Sequence, residues 1–462
     1  MAENPRVRTL FNDVFAGRLT RREVMQRAAA LGLSAPVVAA LAHANASMAF
    51  AAEEGTLTPT FYQWMIDNHG PSIEQVNADF NKTFPLDMKI APVEGFGIER
   101  FVAEARDQNS TWDVYFGQTP FVDMKSLIDS GAIEPWDAYI PEDVLADMIP
   151  AVREEGTYDG KLYNWPFLLD ITIQGWNADI VQRADLDPEA APKDWDEYLG
   201  NAQKVIDSGA APFGCTFDAH GWRSLVPITH TINTDVYTEE DLFDFTNDSV
   251  VEALEIMKRM MEVSHPDVLN PGTTDGGVNG TPDEGAFAAQ QVAYYVKYQN
   301  AHLRFAGTWP DPSMLRLAGM PKPEGGAGGT VFWDTGAALF KYGKNKEQAA
   351  AYLKALTYDD RVWEHSMVGG EGAVPAGQLP IYQSIWEKYE SNPPEWLPDW
   401  AFLIRDQLQF SQAIRTHAFG VSQFLSIGDQ HWHKYLSGDE SDPRKALQAA
   451  KDAVLVEVEK AG

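Results

Sequence analysis

One cysteine, Cys215, is present in 462 residues. That excludes an intramolecular disulfide and any thiolate metal cluster. Long apolar runs are missing as well, and none reaches the ~20 residues a bilayer-crossing helix needs. Cations are scarce: 36 Lys and Arg stand against 67 Asp and Glu, a formal charge of -31 at pH 7. So acidic a chain repels phosphate backbones and anionic headgroups, which excludes nucleic acid and membrane surfaces as partners. Gly325 to Gly329 (GGAGG) lacks the Lys-Ser/Thr of a phosphate loop and the spacing of a dinucleotide fingerprint. No Gly-x-Ser-x-Gly elbow occurs. What is plentiful is aromatic: 14 Trp and 16 Tyr, rings that fill cores and also stack on flat, hydroxyl-rich ligands.

Residues 1–51 differ from the rest. They hold six Arg and three acids, and removing them leaves 30 bases and 64 acids, a formal -34. Thr20-Arg21-Arg22 precedes an uncharged run rich in Ala, Leu, Gly and Val, from Ala28 to Ala42, and Ala49-Phe50-Ala51 offers an A-x-A cleavage site. The segment resembles a twin-arginine export signal. The expected body is therefore exported, periplasmic and soluble.

Leu57 to Trp64 (LTPTFYQW) predicts a strand, followed by helical spacing at Ile73, Val76 and Phe80. Met88 to Val93 and Asp113 to Phe116 predict further strands, and Phe121 to Ile128 a helix stopped at Gly131. A second series contains strands at Ile171 to Trp176, Val292 to Val296 and Thr330 to Phe340, with helices at Trp195 to Ile206 and Val250 to Met261. Strands alternating with helices predict an α/β protein built on mainly parallel sheets. Asn345 with Gln348 resembles a capping box.

Candidate chemistry is sparse. His431 and His433 are two apart on an expected helix and so do not face one ligand. Asp275, Asn279, Asp283 and Glu284 lack the spacing of a calcium loop and suit a polar lip loop, Asn270 to Gly285. Cys215 has no basic neighbour in sequence to activate it. No metal and no cofactor is expected. Paired carboxylates, as in a glycosidase, stay open because the body offers 64 acids and singles out none.

The order of several short stretches resembles the sugar-type extracellular solute-binding proteins of ABC importers (family 1), maltose-binding protein among them. These are FYQW, NADFNK around Phe80, Ser130 to Pro135 (SGAIEP), Tyr158 to Tyr163 (YDGKLY) and Trp176 to Asp179 (WNAD). Pro192 to Tyr198 (PKDWDEY) and Lys344 to Ala350 (KNKEQAA) continue the series. The resemblance implies the two-lobed periplasmic-binding-protein fold (type II): each lobe a mostly parallel sheet flanked by helices, joined by a hinge of crossing strands. It implies lobe 1 over 55–170 plus 317–360 and lobe 2 over 171–316 plus 361–462. Crossings fall near Leu168 to Ile173 and Ala306 to Leu317, with a return near Leu356 to Val362.

The same resemblance implies a monomer that captures a carbohydrate and delivers it, by hinge closure and without catalysis, to membrane permease subunits. Open alternatives are the same receptor for a polyamine or other solute, and a secreted carbohydrate-active enzyme. Site residues are expected at strand ends. In the first lobe these are Gln63 and Trp64, then Gln118 and Thr119, with Asp170 at the place of an acidic hinge ligand. In the second they are Asp218, His220 and Trp222 (DAHGW), Lys297 and Tyr298 after VAYY, and Trp309 at a crossing. Trp333 and Asp334 lie on the returning strand. Gly117 to Phe121 does not match the Trp, Asp and Arg of the maltose relative, which leaves the sugar unspecified. Each aromatic stands equally as a core residue.

Overall fold

The structure, a computed structural model, describes residues 55–93, 98–239, 242–270, 281–370, 374–415 and 421–461. The expected export signal, Asp275 and Asn279 lie outside the described residues.

The strands are β1 (Pro59–Phe61), β2 (Lys89–Ile90), β3 (Val114–Gln118), β4 (Ile133–Glu134), β5 (Thr157–Tyr158) and β6 (Lys161–Leu162). They continue with β7 (Asn164–Asn177), β8 (Phe213–Phe217), β9 (Val292–Tyr298), β10 (Leu315–Ala318), β11 (Val331–Phe340) and β12 (Gln412–Ala413). The main sheet runs β2-β1-β3-β11-β7-β9-β8. Its outer strands pair in parallel (β2-β1-β3 and β9-β8), while the long β7 and β11 run antiparallel to each other and to β9 and β3 respectively.

β7 ties the two halves together. All fourteen of its residues are buried, so neither face of the strand meets solvent, and the polar Asp170, Thr172 and Gln174 that alternate with Ile171 and Ile173 are buried with them. Asn164 to Ile171 pair with β11, and from Thr172 onward the strand pairs with β9 instead. The change of partner falls between Ile171 and Thr172. Pro166 cannot donate to a ladder. Opposite it the register of β11 slips between Thr335 and Ala337, and a Cβ on Gly336 would stand 2.3 Å from the Trp165 carbonyl oxygen.

Two large cores flank this strand pair. One gathers Phe61, Ile73, Trp165, Phe167, Leu353 and Trp363. The other gathers Trp195, Tyr198, Cys215, Leu254, Met257 and Trp432. The helices Asp360–Val368, Gln383–Ser391 and Asp399–Gln407 bury Trp363, Trp386, Tyr389 and Ile404 in the first core. The expected assignment of 361–462 to lobe 2 therefore fails for its first half. Only the helices Val421–Ser437 and Pro443–Ala461 pack on the second core, through Trp432, Leu447 and Ala450. β10 still pairs with the second half of β7, and Met320, Val331 and Trp333 still belong to the second core, so the passage between halves runs along β11, later than Ala306 to Leu317. The return expected near Leu356 to Val362 is not made there, because both residues belong to the first core.

Local chemistry corrects two further expectations. The first strand stops at Phe61, and Gln63 and Trp64 open the helix Gln63–Phe80. Asn345 does not cap its helix with its side chain, whose Nδ2 donates to Thr56 O (3.0 Å) and Asp113 Oδ2 (3.1 Å).

Candidate functional site

Between the two halves lies a space of about 670 Å³, floored by the crossing strands. From the first half, Tyr62, Trp64, Thr119, Phe121 and Val122 reach it. Phe121 and Val122 sit on a π-helical turn, Pro120–Met124, that follows β3 directly. Asp123 anchors this turn by accepting the Thr119 N–H at 3.2 Å. Burial pushes the Asp123 carboxyl up to about 8, against that hydrogen bond. Gly117 has φ +133°, and a Cβ there would stand 2.7 Å from Tyr62 Cβ, so only glycine lets β3 turn into the site here.

The floor is Asp170 on β7 with Trp333 and Thr335 on β11, and Gln378 beside them. Trp333 is directly opposite Asp170 in the ladder. Gln378 Nε2 donates to Asp170 Oδ2 at 2.9 Å, and Gln378 Oε1 meets His69 Nε2 at 2.7 Å. Burial holds His69 at about 4, so its ring is neutral, and because an amide oxygen only accepts, the proton is on Nε2. This relay fixes the rotation of Gln378 and leaves Asp170 Oδ1 buried with no side-chain partner, while the backbone N–H of Asn300 also favours the charged carboxylate. Burial pushes the Asp170 carboxyl up to about 7, against the Gln378 hydrogen bond and the charges of Arg304 and Arg223.

The second half contributes Trp222, Arg223, Tyr298, Asn300 and Arg304. Trp222 and Tyr298 meet Trp333 edge to face at 5.4 and 5.1 Å, and Phe121 lies 5.2 Å from Trp222, tilted by 57°. The Phe121 contact joins the two halves across the space. The Arg223 guanidinium stands 4.1 Å from the centre of the Trp222 ring, a cation–π contact that orients both.

Behind this wall is a fully buried ion cluster. Lys297 Nζ bonds Asp218 Oδ2 and Asp283 Oδ2 (2.8 Å) and stands 3.4 Å from Glu284 Oε1. Arg223 Nη1 donates to Asp218 Oδ2 at 3.2 Å, and His220 Nδ1 lies 2.7 Å from Asp218 Oδ1. Burial raises the Asp218 carboxyl, but the charges of Lys297 and Arg223 outweigh it and hold the group well below the ordinary range. The same carboxylate accepts the His220 backbone N–H at 2.8 Å. The loop is also held from outside: Asp429 Oδ1 accepts the Gly221 N–H at 3.1 Å, and His433 Nε2 meets Ala219 O at 2.7 Å.

Of the residues expected at the site, Trp64, Thr119, Asp170, Trp222, Tyr298 and Trp333 line the space. The others do not. Gln63 Nε2 bonds its own helix neighbour Asp67 at 2.8 Å in solvent. Gln118 is buried in β3, its amide without a partner. Asp218, His220 and Lys297 form the cluster behind the wall. Trp309 is packed in a satellite core with Phe287, and its Nε1 donates to Phe287 O at 3.0 Å. Asp334 points away from Trp333 and accepts the Phe167 N–H at 2.8 Å, the amide left without regular pairing beside Pro166.

Side chains alternate along a strand. That rule separates Tyr298 from Lys297 and Trp333 from Asp334, and it would have added Thr335. Arg223 adjoins Trp222 in sequence. Tyr62 stands inside FYQW and Phe121 closes Gly117 to Phe121, whereas Gln378, 208 residues from Asp170, left no local signal, nor did Val122, Asn300 or Arg304. His433, set aside as half of a metal pair, serves the loop. Among the described residues no group of three or more His, Cys, Asp or Glu is placed to hold a metal.

Residues 75–379 match the family model described as bacterial extracellular solute-binding protein. The sn-glycerol-3-phosphate-binding periplasmic protein UgpB of Pectobacterium atrosepticum is 24% identical over 448 residues, covering 89% of this chain and 93% of the relative. Among solved structures, the cyclic alpha-maltosyl-1,6-maltose binding protein of Arthrobacter globiformis superposes with TM-score 0.67 at 23% identity, covering 89% of this chain and 100% of that one. An ABC transporter solute-binding protein of Agrobacterium radiobacter K84, solved with ribitol, gives TM-score 0.68 at 16% identity over 89% of this chain and 99% of that one. At these identities the structural likeness carries the fold.

Proposed function

We propose that this chain, which belongs to the bacterial extracellular solute-binding proteins, is the receptor of an ABC importer for a hydroxylated solute of carbohydrate or polyol type. The observation that carries this reading is the space between the halves: Trp64, Trp222, Tyr298 and Trp333 around it, and a buried carboxyl oxygen of Asp170 with no side-chain partner at its floor. Indole and phenol faces suit the C–H faces of sugar rings, and a buried acceptor with no side-chain partner suits a hydroxyl. The relatives' names and ligands, from a maltosyl-maltose to ribitol, support the same class.

The mechanism is hinge closure. The halves meet through β7, whose partner changes between Ile171 and Thr172. A solute touching Trp64 and Thr119 on one side and Trp222 and Asn300 on the other makes its full set of contacts only when the halves are together. It therefore shifts the population toward the closed form. A shift from nearly all open to nearly all closed takes about 5.5 kcal/mol of differential affinity. Stacking at about 0.5–1.5 kcal/mol per ring pair and several hydrogen bonds at about 1 kcal/mol each reach that range. The solute leaves unaltered toward the permease. Export through the twin-arginine signal to the periplasm belongs to this proposal, and so does action as a monomer.

The test is a titration of mono- and disaccharides and polyols followed by tryptophan fluorescence, with mass spectrometry of the recovered solute. Saturable quenching with intact solute supports a receptor. Hydrolysis of the solute favours the secreted enzyme, and silence across the panel removes the carbohydrate class.

A further inference from the structure

We propose that the captured solute carries an acidic group, a carboxylate or a phosphate, received by the unpartnered Nε–Nη2 edge of Arg304 with Arg223 beside it. The inference rests on the receptor reading above and narrows it.

Arg304 lies on the helix Gln299–Ala306 and lines the space. Its Nε and Nη2 are both buried without a hydrogen-bond partner. Glu284 Oε1, the acid facing Nη2, is 4.0 Å away, beyond hydrogen-bond reach. Nε and Nη2 form one edge of the guanidinium, two parallel donors whose spacing fits the two oxygens of a carboxylate or phosphate. Arg223 lines the same space, and its Nε also lacks a partner while Nη1 is held by Asp218.

Charge placement favours an anion over a neutral diol. Asp218, Asp283 and Glu284 gather around Lys297, and none of the four lines the space. These acids therefore lie outside the lining, whereas Arg223 and Arg304 belong to it, so two cations and one acid, Asp170, border the space. Across the space stands Asp170, with no side-chain partner at Oδ1. Burial makes its carboxyl titrate near neutrality, so it can meet a hydroxyl without fully opposing an anion. A solute with an acid at one end and hydroxyls at the other satisfies both walls.

The experiment is calorimetric titration of the full chain with glucose and ribitol as neutral probes, gluconate and glucuronate as carboxylates, and glycerol 3-phosphate as a phosphate. At least one acidic probe should bind tenfold or more tighter than the neutral probes. Which acid does so distinguishes carboxylate from phosphate. Arg304→Gln should weaken the preferred acidic probe at least tenfold more than it weakens the neutral probes, and Arg304→Lys, which keeps the charge but not the edge, should fall between. Thermal melting identifies a variant that does not fold, and the wild-type ranking then decides. Neutral probes binding as tightly as the acids, or an undiminished preference in a folded Arg304→Gln, would overturn the acidic group and leave the receptor reading in place. No binding by any probe overturns both.

Discussion

Replacing Asp170 with Asn should make the protein more stable and a poorer receptor. Asp170 is 3% exposed, on the central crossing strand, and its carboxyl is pushed from the ordinary 3.8 up to about 7 by burial. A folded value above the unfolded one means the neutral form is favoured in the fold. The side chain costs nothing extra below pH 4, and an increasing amount as pH rises through about 7. With 1.36 kcal/mol per pH unit, the penalty relative to a neutral isostere is about 2 kcal/mol at pH 5 and about 4 kcal/mol at pH 8. Asn retains an oxygen for the Gln378 amide hydrogen bond of 2.9 Å, so that contact survives. Urea unfolding of both proteins at pH 4, 5 and 8 reads the effect directly. The gain should be near zero at pH 4 and largest at pH 8, while solute affinity falls at least tenfold because Oδ1 is the acceptor at the floor with no side-chain partner. An Asp170→Asn protein less stable than its parent at pH 8, or a gain that does not grow with pH, would refute the reasoning. Such a site residue, costly to the fold and kept for its chemistry, is where function and stability pull apart.

Lys297→Met should be destabilised by about 3–5 kcal/mol, because removing one partner leaves buried acids uncompensated. Asp218 and Asp283 each bond its Nζ. Denaturant unfolding checks this, and a folded variant with parental stability but no affinity would instead make Lys297 a solute contact. Trp222→Ala should cost at least tenfold in solute affinity by fluorescence titration, since Trp222 lines the space and packs on Trp333 and Phe121. Trp309→Phe should leave affinity unchanged and lower only the melting temperature, because its indole is packed in the satellite core with Phe287 and does not line the space.

Much of the architecture was legible because it follows from pattern. Alternating strands and helices require an α/β sheet, but of β7 only Ile171 to Trp176 was legible as a strand, and its first half, opening on Asn164 and interrupted by Pro166, was not. The place where β7 changes partner falls inside the stretch that the resemblance marked. Partition of the C-terminal third was not legible, since amphipathic helices such as Gln383–Ser391 show that they bury a face but not which core receives it. At the site, residues at strand ends were found as short neighbourhoods, and errors arose where two adjacent residues were both chosen although a strand sends them to opposite faces. Lys297 and Asp334 are of this kind. Arg304 and Gln378 were invisible for a different reason: only the fold brings them to Asp170, and nothing in their own surroundings marks them.

The central claim is that two halves close on a solute around β7. Small-angle scattering of the protein with and without a solute that quenches its tryptophans tests this most directly. The account predicts a smaller radius of gyration on saturation in the parent and none in Trp222→Ala at the same concentration. An unchanged radius at full occupancy of the parent would contradict it.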